Sequence, residues 1–191
     1  TQIDRHAIFD AHRRSAMIEP SSMTTSFDWK SRLTDCLRAT EYLCLATVDT
    51  EQGTWSNPVY FSWDNQAALY FISLSSSRHM KNITKDTRIS AAIYPTDQST
   101  HGDVFGIQLA GKARVLETTE EITSAYQQYY HRVHPETDQS IGSPLSSFLA
   151  KNSWRLVQIL PNEIYYFNTE FFPEETHGRQ CVPLPLQVDL P

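Results

Sequence analysis

The chain is poor in glycine and cysteine, has no basic excess and carries no long apolar run, and each shortage removes a class of protein. Its three cysteines, Cys36, Cys44 and Cys181, stand far apart with no CxxC pair. Neither a disulfide framework nor a zinc site is indicated, and Cys36 and Cys44 read most simply as buried hydrophobes. No glycine-rich phosphate loop is present. Sixteen Lys and Arg stand against 22 Asp and Glu, a net charge of −6. A nucleic-acid footprint would have to be a local patch against that field, and the sequence shows none. The apolar runs are strand-sized and broken by polar residues, and no charged start followed by an apolar core marks a secretory signal. A soluble, cytoplasmic protein is the expectation. No nucleophilic triad or paired-carboxylate motif stands out.

What is present suits one domain with appendages: 191 residues, 40% of them hydrophobic, enough for a single core and awkward for two. Residues 1 to 27 mix charges with Ser-Ser and Thr-Thr pairs around Pro20, and read as an arm and linker. Asp28 is a plausible N-cap for a helix to about Ala39, with Trp29, Leu33, Cys36 and Leu37 on one face. Tyr42 to Val48 and Trp55 to Trp63 read as a hairpin, and Pro58, unable to donate to a ladder, belongs at an edge, a bulge or a point where main-chain groups are left free to meet something else. Strands follow at Ala68 to Leu74, Arg88 to Tyr94 and Val104 to Glu117, the last with Gly106 and Gly111 as bulges or close approaches. Their connections are mostly too short for parallel crossovers, so the sheet is antiparallel. Thr118 and Glu121 form a capping box for a helix to Val133 whose face is Ile122, Ala125, Tyr126, Tyr129 and Tyr130. Trp154 to Leu160, a Pro161-Asn162 turn and Ile164 to Asn168 read as a last hairpin, and the proline-rich tail from Phe171 as extended.

One stretch carries chemistry. Leu69 to Leu74 is a strand, Ser75-Ser76-Ser77 a polar turn, and Arg78-His79-Met80-Lys81-Asn82-Ile83 the start of a helix. The first amides of a helix lack intrahelical partners and sit at the positive end of its dipole, so the junction suits an anion, with serine hydroxyls and an arginine as added donors. The same residues also fit an ordinary capped helix with Arg78, Lys81 and Lys85 on a solvated face.

The order of pieces, with Ser77-Arg78-His79 at that junction and Ala110-Gly111-Lys112-Ala113-Arg114-Val115 closing the long strand, resembles the pyridoxamine 5'-phosphate oxidase-like family of FMN-binding split β-barrels. The resemblance covers about residues 28 to 168 and is closest to the small, poorly characterised members. It implies a mainly β fold with flanking helices, an antiparallel split β-barrel of about six to seven strands. The division is then an arm and linker over 1–27, an FMN-binding barrel over 28–168 and an extended tail over 169–191.

By the same resemblance, Ser77 and Arg78 match the residues that hold the flavin phosphate, His79 stands where lysine is common, and Lys81 is a further candidate. Pro58, Val59 and Tyr60 match the strand whose backbone meets the polar edge of the isoalloxazine ring, and Ile72 and Ser73 the strand beside it. Family members are usually homodimers with two flavin sites at the subunit interface, which would let Gln108 reach the site from a second copy; Tyr166, Phe167 and Arg179 match more loosely the region that closes it. Ser56 and Phe61 stand near positions where the oxidases carry arginine and lysine, which argues against pyridoxamine phosphate as substrate.

An FMN-dependent oxidoreductase of unknown substrate is the leading expectation, with F420 as a variant cofactor. The alternatives are a heme-binding or heme-handling barrel, since histidines occur at 6, 12, 79, 101, 131, 134 and 177, and a non-catalytic dimeric module using the tyrosine-rich helix as a partner face. His131 and His134 have a plainer reading as cations complementing a helix C-terminus.

Overall fold

In the computed structural model the residues described are 27–49, 51, 53–96, 104–133, 142–150, 153–172 and 178–191. Most of the expected arm, with the chain's remaining histidines other than His79 and His131, lies outside them. The elements run α1 (Trp29–Arg38), β1 (Tyr42–Asp49), β2 (Gly53–Trp63), β3 (Leu69–Leu74), α2 (Arg78–Lys85), β4 (Arg88–Ile93), β5 (Phe105–Val115), α3 (Thr119–Val133), α4 (Leu145–Leu149), β6 (Trp154–Asn168) and β7 (Arg179–Cys181). The sheet order is β3-β2-β1-β4-β5-β6-β7, and β3 also pairs with β6, so β1 to β6 close into an antiparallel split barrel with β7 added outside. Among the described residues no helix is long and apolar enough to cross a membrane.

The alternation of the strands builds the core. Leu43 and Leu45 of β1, Phe61 and Trp63 of β2, Phe71 of β3, Ile93 of β4 and Ile159 of β6 point inward, nearly all of them fully buried. Helix α1 begins as the sequence predicts, the Asp28 side chain accepting the amide of Ser31 at 3.1 Å, and buries Leu33, Cys36 and Leu37. The capping box at α3 forms with both reciprocal bonds, Glu121 N–H to Thr118 Oγ1 at 3.2 Å and Thr118 N–H to Glu121 Oε2 at 3.3 Å. Its five apolar and aromatic residues are all buried. They form a second core outside the barrel with Phe148 of α4, a helix the sequence reading did not include.

Three expectations change. The last hairpin is one continuous strand: Pro161 is no turn but lies opposite Gly111, where the β5–β6 register shifts. A Cβ at Gly111 would stand 2.4 Å from the Leu160 carbonyl oxygen, so the backbones close on one another there, and a residue without an amide hydrogen suits the break in the ladder. The tail is extended, but it is part of the domain. Val182 and Val188 are in the core, Trp63 Nε1–H donates to the Asp189 carbonyl at 2.7 Å, and Lys30 pairs with Asp189 at 2.7 Å. Finally, Cys36 is buried as expected, and its thiol is pushed up to about 12, first by burial and then by Asp35. Cys44, however, is exposed on the outer face of β1.

Candidate functional site

The barrel is split between β2 and β3. These strands pair only over Phe61↔Phe71, Ser62↔Tyr70 and Trp63↔Leu69. Below that point β2 stays paired with β1 from Tyr60 down to Gly53, and β3 stays paired with β6 out to Leu74. One edge of β2 over residues 53–60 therefore has no strand partner among the described residues. Pro58 and Val59 fall on this stretch, where main-chain groups remain available to a ligand. Val59's side chain is buried in the core, so only its backbone is offered to the gap; Pro58 is exposed and Tyr60 half-buried.

The chain crosses this split through the serine turn into α2. Ser77 takes the extended backbone of a cap residue, but its side chain makes no capping bond. The first-turn amides of α2 are thus left without a side-chain acceptor, and they lie at the positive end of the helix. The Ser77 hydroxyl is engaged elsewhere: Ser73 Oγ and Ser77 Oγ are 3.2 Å apart, His79 Nε2 is 2.6 Å from Ser73 Oγ and 3.2 Å from Ser77 Oγ. His79 is buried against the Phe71 ring, and burial lowers its pKa from 6.5. It is a neutral residue behind the serines, where the sequence reading had it beside the cations.

Arg78 lies over Trp55, its guanidinium carbon 4.3 Å from the ring centre. Its Nε is buried with no hydrogen-bond partner among the described residues, and so is Oδ1 of Asn57. Trp55 and Asn57 are two apart on β2 and so share a face. Neither is marked by sequence: the stack depends on the tertiary placement of α2 across the split. The sequence reading also missed Arg155, half-buried and directly opposite Ser73 on β6. Only the β3–β6 closure brings it there. Lys81 is exposed one turn into α2. Ser77, Arg78 and Ser73 thus come together with Trp55, with His79 beneath them.

Gln108 does not join them. It lies on the outer face of the barrel in one row with Pro58, Cys44 and Ala92, three strands from Pro58, roughly 14 Å at the usual strand spacing. Arg179 donates to its Oε1 at 3.0 Å. This face is made of small side chains, with Ala46, Ser56 and Ser90 beside the row, and Ser56 Oγ contacts Cys44 Sγ at 3.0 Å. At its end a cleft of about 610 Å³ is lined by Tyr42, Cys44, Pro58, Ala92 and Tyr94. Phe61, where the resemblance places a cation in the oxidases, is fully buried. His131 is exposed in the last turn of α3, and no cluster of three potential metal-binding side chains occurs among the described residues.

Against known proteins, the family model for pyridoxamine 5'-phosphate oxidase matches residues 30–154. No curated protein sequence matches the chain. Among solved structures it is similar to the Agrobacterium tumefaciens protein Atu2129, of unknown function, at 18% identity and TM-score 0.61, covering 91% of this chain and 65% of that one. It is also similar to the heme storage protein HutZ from Vibrio cholerae, at 14% identity and TM-score 0.56, covering 71% and 92%. An FAD-binding protein from Mesorhizobium loti matches at 16% identity and TM-score 0.53, covering 70% and 90%. At these identities the likeness is one of fold.

Proposed function

The chain belongs to the pyridoxamine 5'-phosphate oxidase family, and from that premise we propose that it binds FMN in the β2–β3 split and serves as an oxidoreductase. The observation that carries this reading is the start of α2, where uncapped amides, the Ser77 hydroxyl and a guanidinium lying over the Trp55 ring stand beside a strand edge that has no strand partner among the described residues. The Arg78 Nε is buried with no hydrogen-bond partner among the described residues, a donor that a phosphate oxygen would satisfy. In this reading Ser73, Ser77, Arg78 and Lys81 hold the phosphate, and the backbone of Pro58, Val59 and Tyr60 meets the polar edge of the ring. Bound flavin would supply hydride or single-electron chemistry, and the protein would orient and tune it.

Gln108 enters the site from a second copy in this reading, because within one chain it is three strands away. The flat outer face of β1, β4 and β5, with its small side chains, is the surface on which two copies would meet. F420 presents a similar ring and a phosphate to the same groove. Heme is less well served: His79 is committed to two serines, and His131 is exposed at a helix end. Visible-absorbance titrations of the purified protein with FMN, F420 and heme test the assignment. A saturable shift of the flavin bands is expected, and a heme Soret response without any flavin response would overturn it.

A further inference from the structure

We propose that His79 is a proton-gated positioning residue for this site: a proton on its Nε2 releases the Ser77 hydroxyl to donate outward, so that binding an anion draws a proton onto the imidazole. The inference rests on the reading of the α2 start as the phosphate site, and it concerns how that site is regulated.

Three polar atoms here share two hydroxyl hydrogens. Ser73 Oγ, Ser77 Oγ and His79 Nε2 form a triangle with sides of 2.6, 3.2 and 3.2 Å. Each hydroxyl brings one hydrogen. With Nε2 bare, the Ser73 hydroxyl donates along the short side to the imidazole, and the Ser77 hydroxyl donates within the triangle. Both hydrogens are then spent, and Ser77 offers only lone pairs to the outside. With a hydrogen on Nε2 the imidazole donates to Ser73, Ser73 donates to Ser77, and the Ser77 hydrogen is free to meet an anion. A neutral imidazole that accepts at Nε2 keeps its hydrogen on Nδ1, so one added proton at Nε2 converts the outward face of Ser77 from acceptor to donor. A change to the Nε2–H tautomer would do the same without proton uptake, and equal uptake by wild type and variant is its signature.

The surroundings set when this happens. From its own helix His79 has Arg78 and Lys81 as neighbours in sequence, and Arg155 of β6 stands opposite Ser73. β3 contributes the uncharged Phe71 ring, β2 presents Trp55 beneath Arg78, and β1 meets α2 through Thr47, which accepts from Asn82 at 3.0 Å. Asp49 of β1 is turned to the amide of Glu51. Burial is the sole resolved influence on the imidazole, and it favours the neutral form. A phosphate monoester arriving at Arg78 would supply negative charge next to this pocket and raise the imidazole's proton affinity.

The test is calorimetric titration of FMN into the full chain between pH 5.5 and 7.5, in buffers of different ionisation enthalpy, for the wild type and His79→Gln. The FMN phosphate has its own titration in this range, and the variant retains that contribution. The wild type should take up more protons per FMN than the variant, approaching one extra. Its affinity relative to the variant should rise by up to about tenfold per unit of falling pH between the free and bound imidazole pKa values. Imidazole NMR of the wild type provides a reading without any variant: the His79 pKa should rise when FMN is added. An unchanged His79 pKa, or equal proton uptake by both proteins, with FMN still bound, overturns this inference alone. Failure of the wild type to bind FMN overturns it together with the assignment of the site.

Discussion

At the scale of single residues, Arg78 and His79 sit side by side in sequence and do opposite work. Arg78 lies at the split over the Trp55 ring, and in the proposed site it would supply a charge-assisted hydrogen bond to phosphate of about 1.5–3 kcal/mol. Arg78→Ala should therefore weaken FMN binding by roughly ten- to a hundredfold in a fluorescence titration; unchanged affinity would remove the phosphate assignment. Trp55→Ala should give a smaller loss, because it frees the guanidinium without deleting it. His79 is buried and affects stability. Its folded pKa is lowered from 6.5 by burial, so as pH falls below about 6.5 the unfolded chain takes up the proton first and stability declines toward the folded pKa. Urea midpoints at pH 7.5 and 5.5 should show this decline in the ligand-free wild type, and less of it in His79→Gln.

At the scale of elements, α3 packs on the barrel through its apolar face and is tied to it by Arg132. Arg132 donates to the carbonyls of Phe61, Leu37 and Thr40, and its guanidinium carbon lies 4.4 Å from the Phe61 ring centre and 4.3 Å from that of Trp63. Burial lowers its pKa to about 10, which still leaves it charged at neutral pH. Arg132→Ala would strand these carbonyls, a cost on the order of 2–4 kcal/mol measurable by chemical denaturation. The tail is a second fastening. Deleting residues 182–191 removes buried Val182 and Val188, each worth about 1.5–3 kcal/mol, together with the Trp63–Asp189 bond. Since a domain's whole stability is about 5–15 kcal/mol, a large drop in melting temperature and a changed Trp63 fluorescence are expected.

These elements also show which parts of the structure were legible in the sequence. Local signals carried through: the Asp28 cap, the Thr118–Glu121 box and the alternation of the strands each depend on neighbours in the chain. Proline composition shows only that the tail is extended, because it reports local conformation, while Val182 and Val188 acquire their role from the barrel they cover. Pro161 was misread for the same reason. Its meaning comes from Gly111 on another strand. Within the site, Ser77-Arg78-His79 was visible as a motif. The burial of His79, the stack on Trp55 and the placing of Arg155 opposite Ser73 depend on how three strands and a helix meet.

At the scale of the whole molecule, the proposed site would take Gln108 from a second copy. The row Pro58, Cys44, Ala92 and Gln108 lies on an outer face of small side chains, so a charged, bulky residue there should keep two copies apart. Ala92→Arg is expected to halve the sedimentation mass of a dimeric wild type and to weaken FMN binding while leaving the far-ultraviolet circular dichroism unchanged. A wild type that sediments as a monomer while binding FMN at full strength would separate the cofactor site from any second copy.

If a phosphate is anchored at the start of α2 in the β2–β3 split, the protein must distinguish FMN from riboflavin. The two ligands share the ring and differ in the phosphate. The protein should bind FMN at least about tenfold more tightly than riboflavin, and this preference should collapse in Arg78→Ala. Equal affinity for the two ligands, or a preference that survives the loss of Arg78, would contradict it.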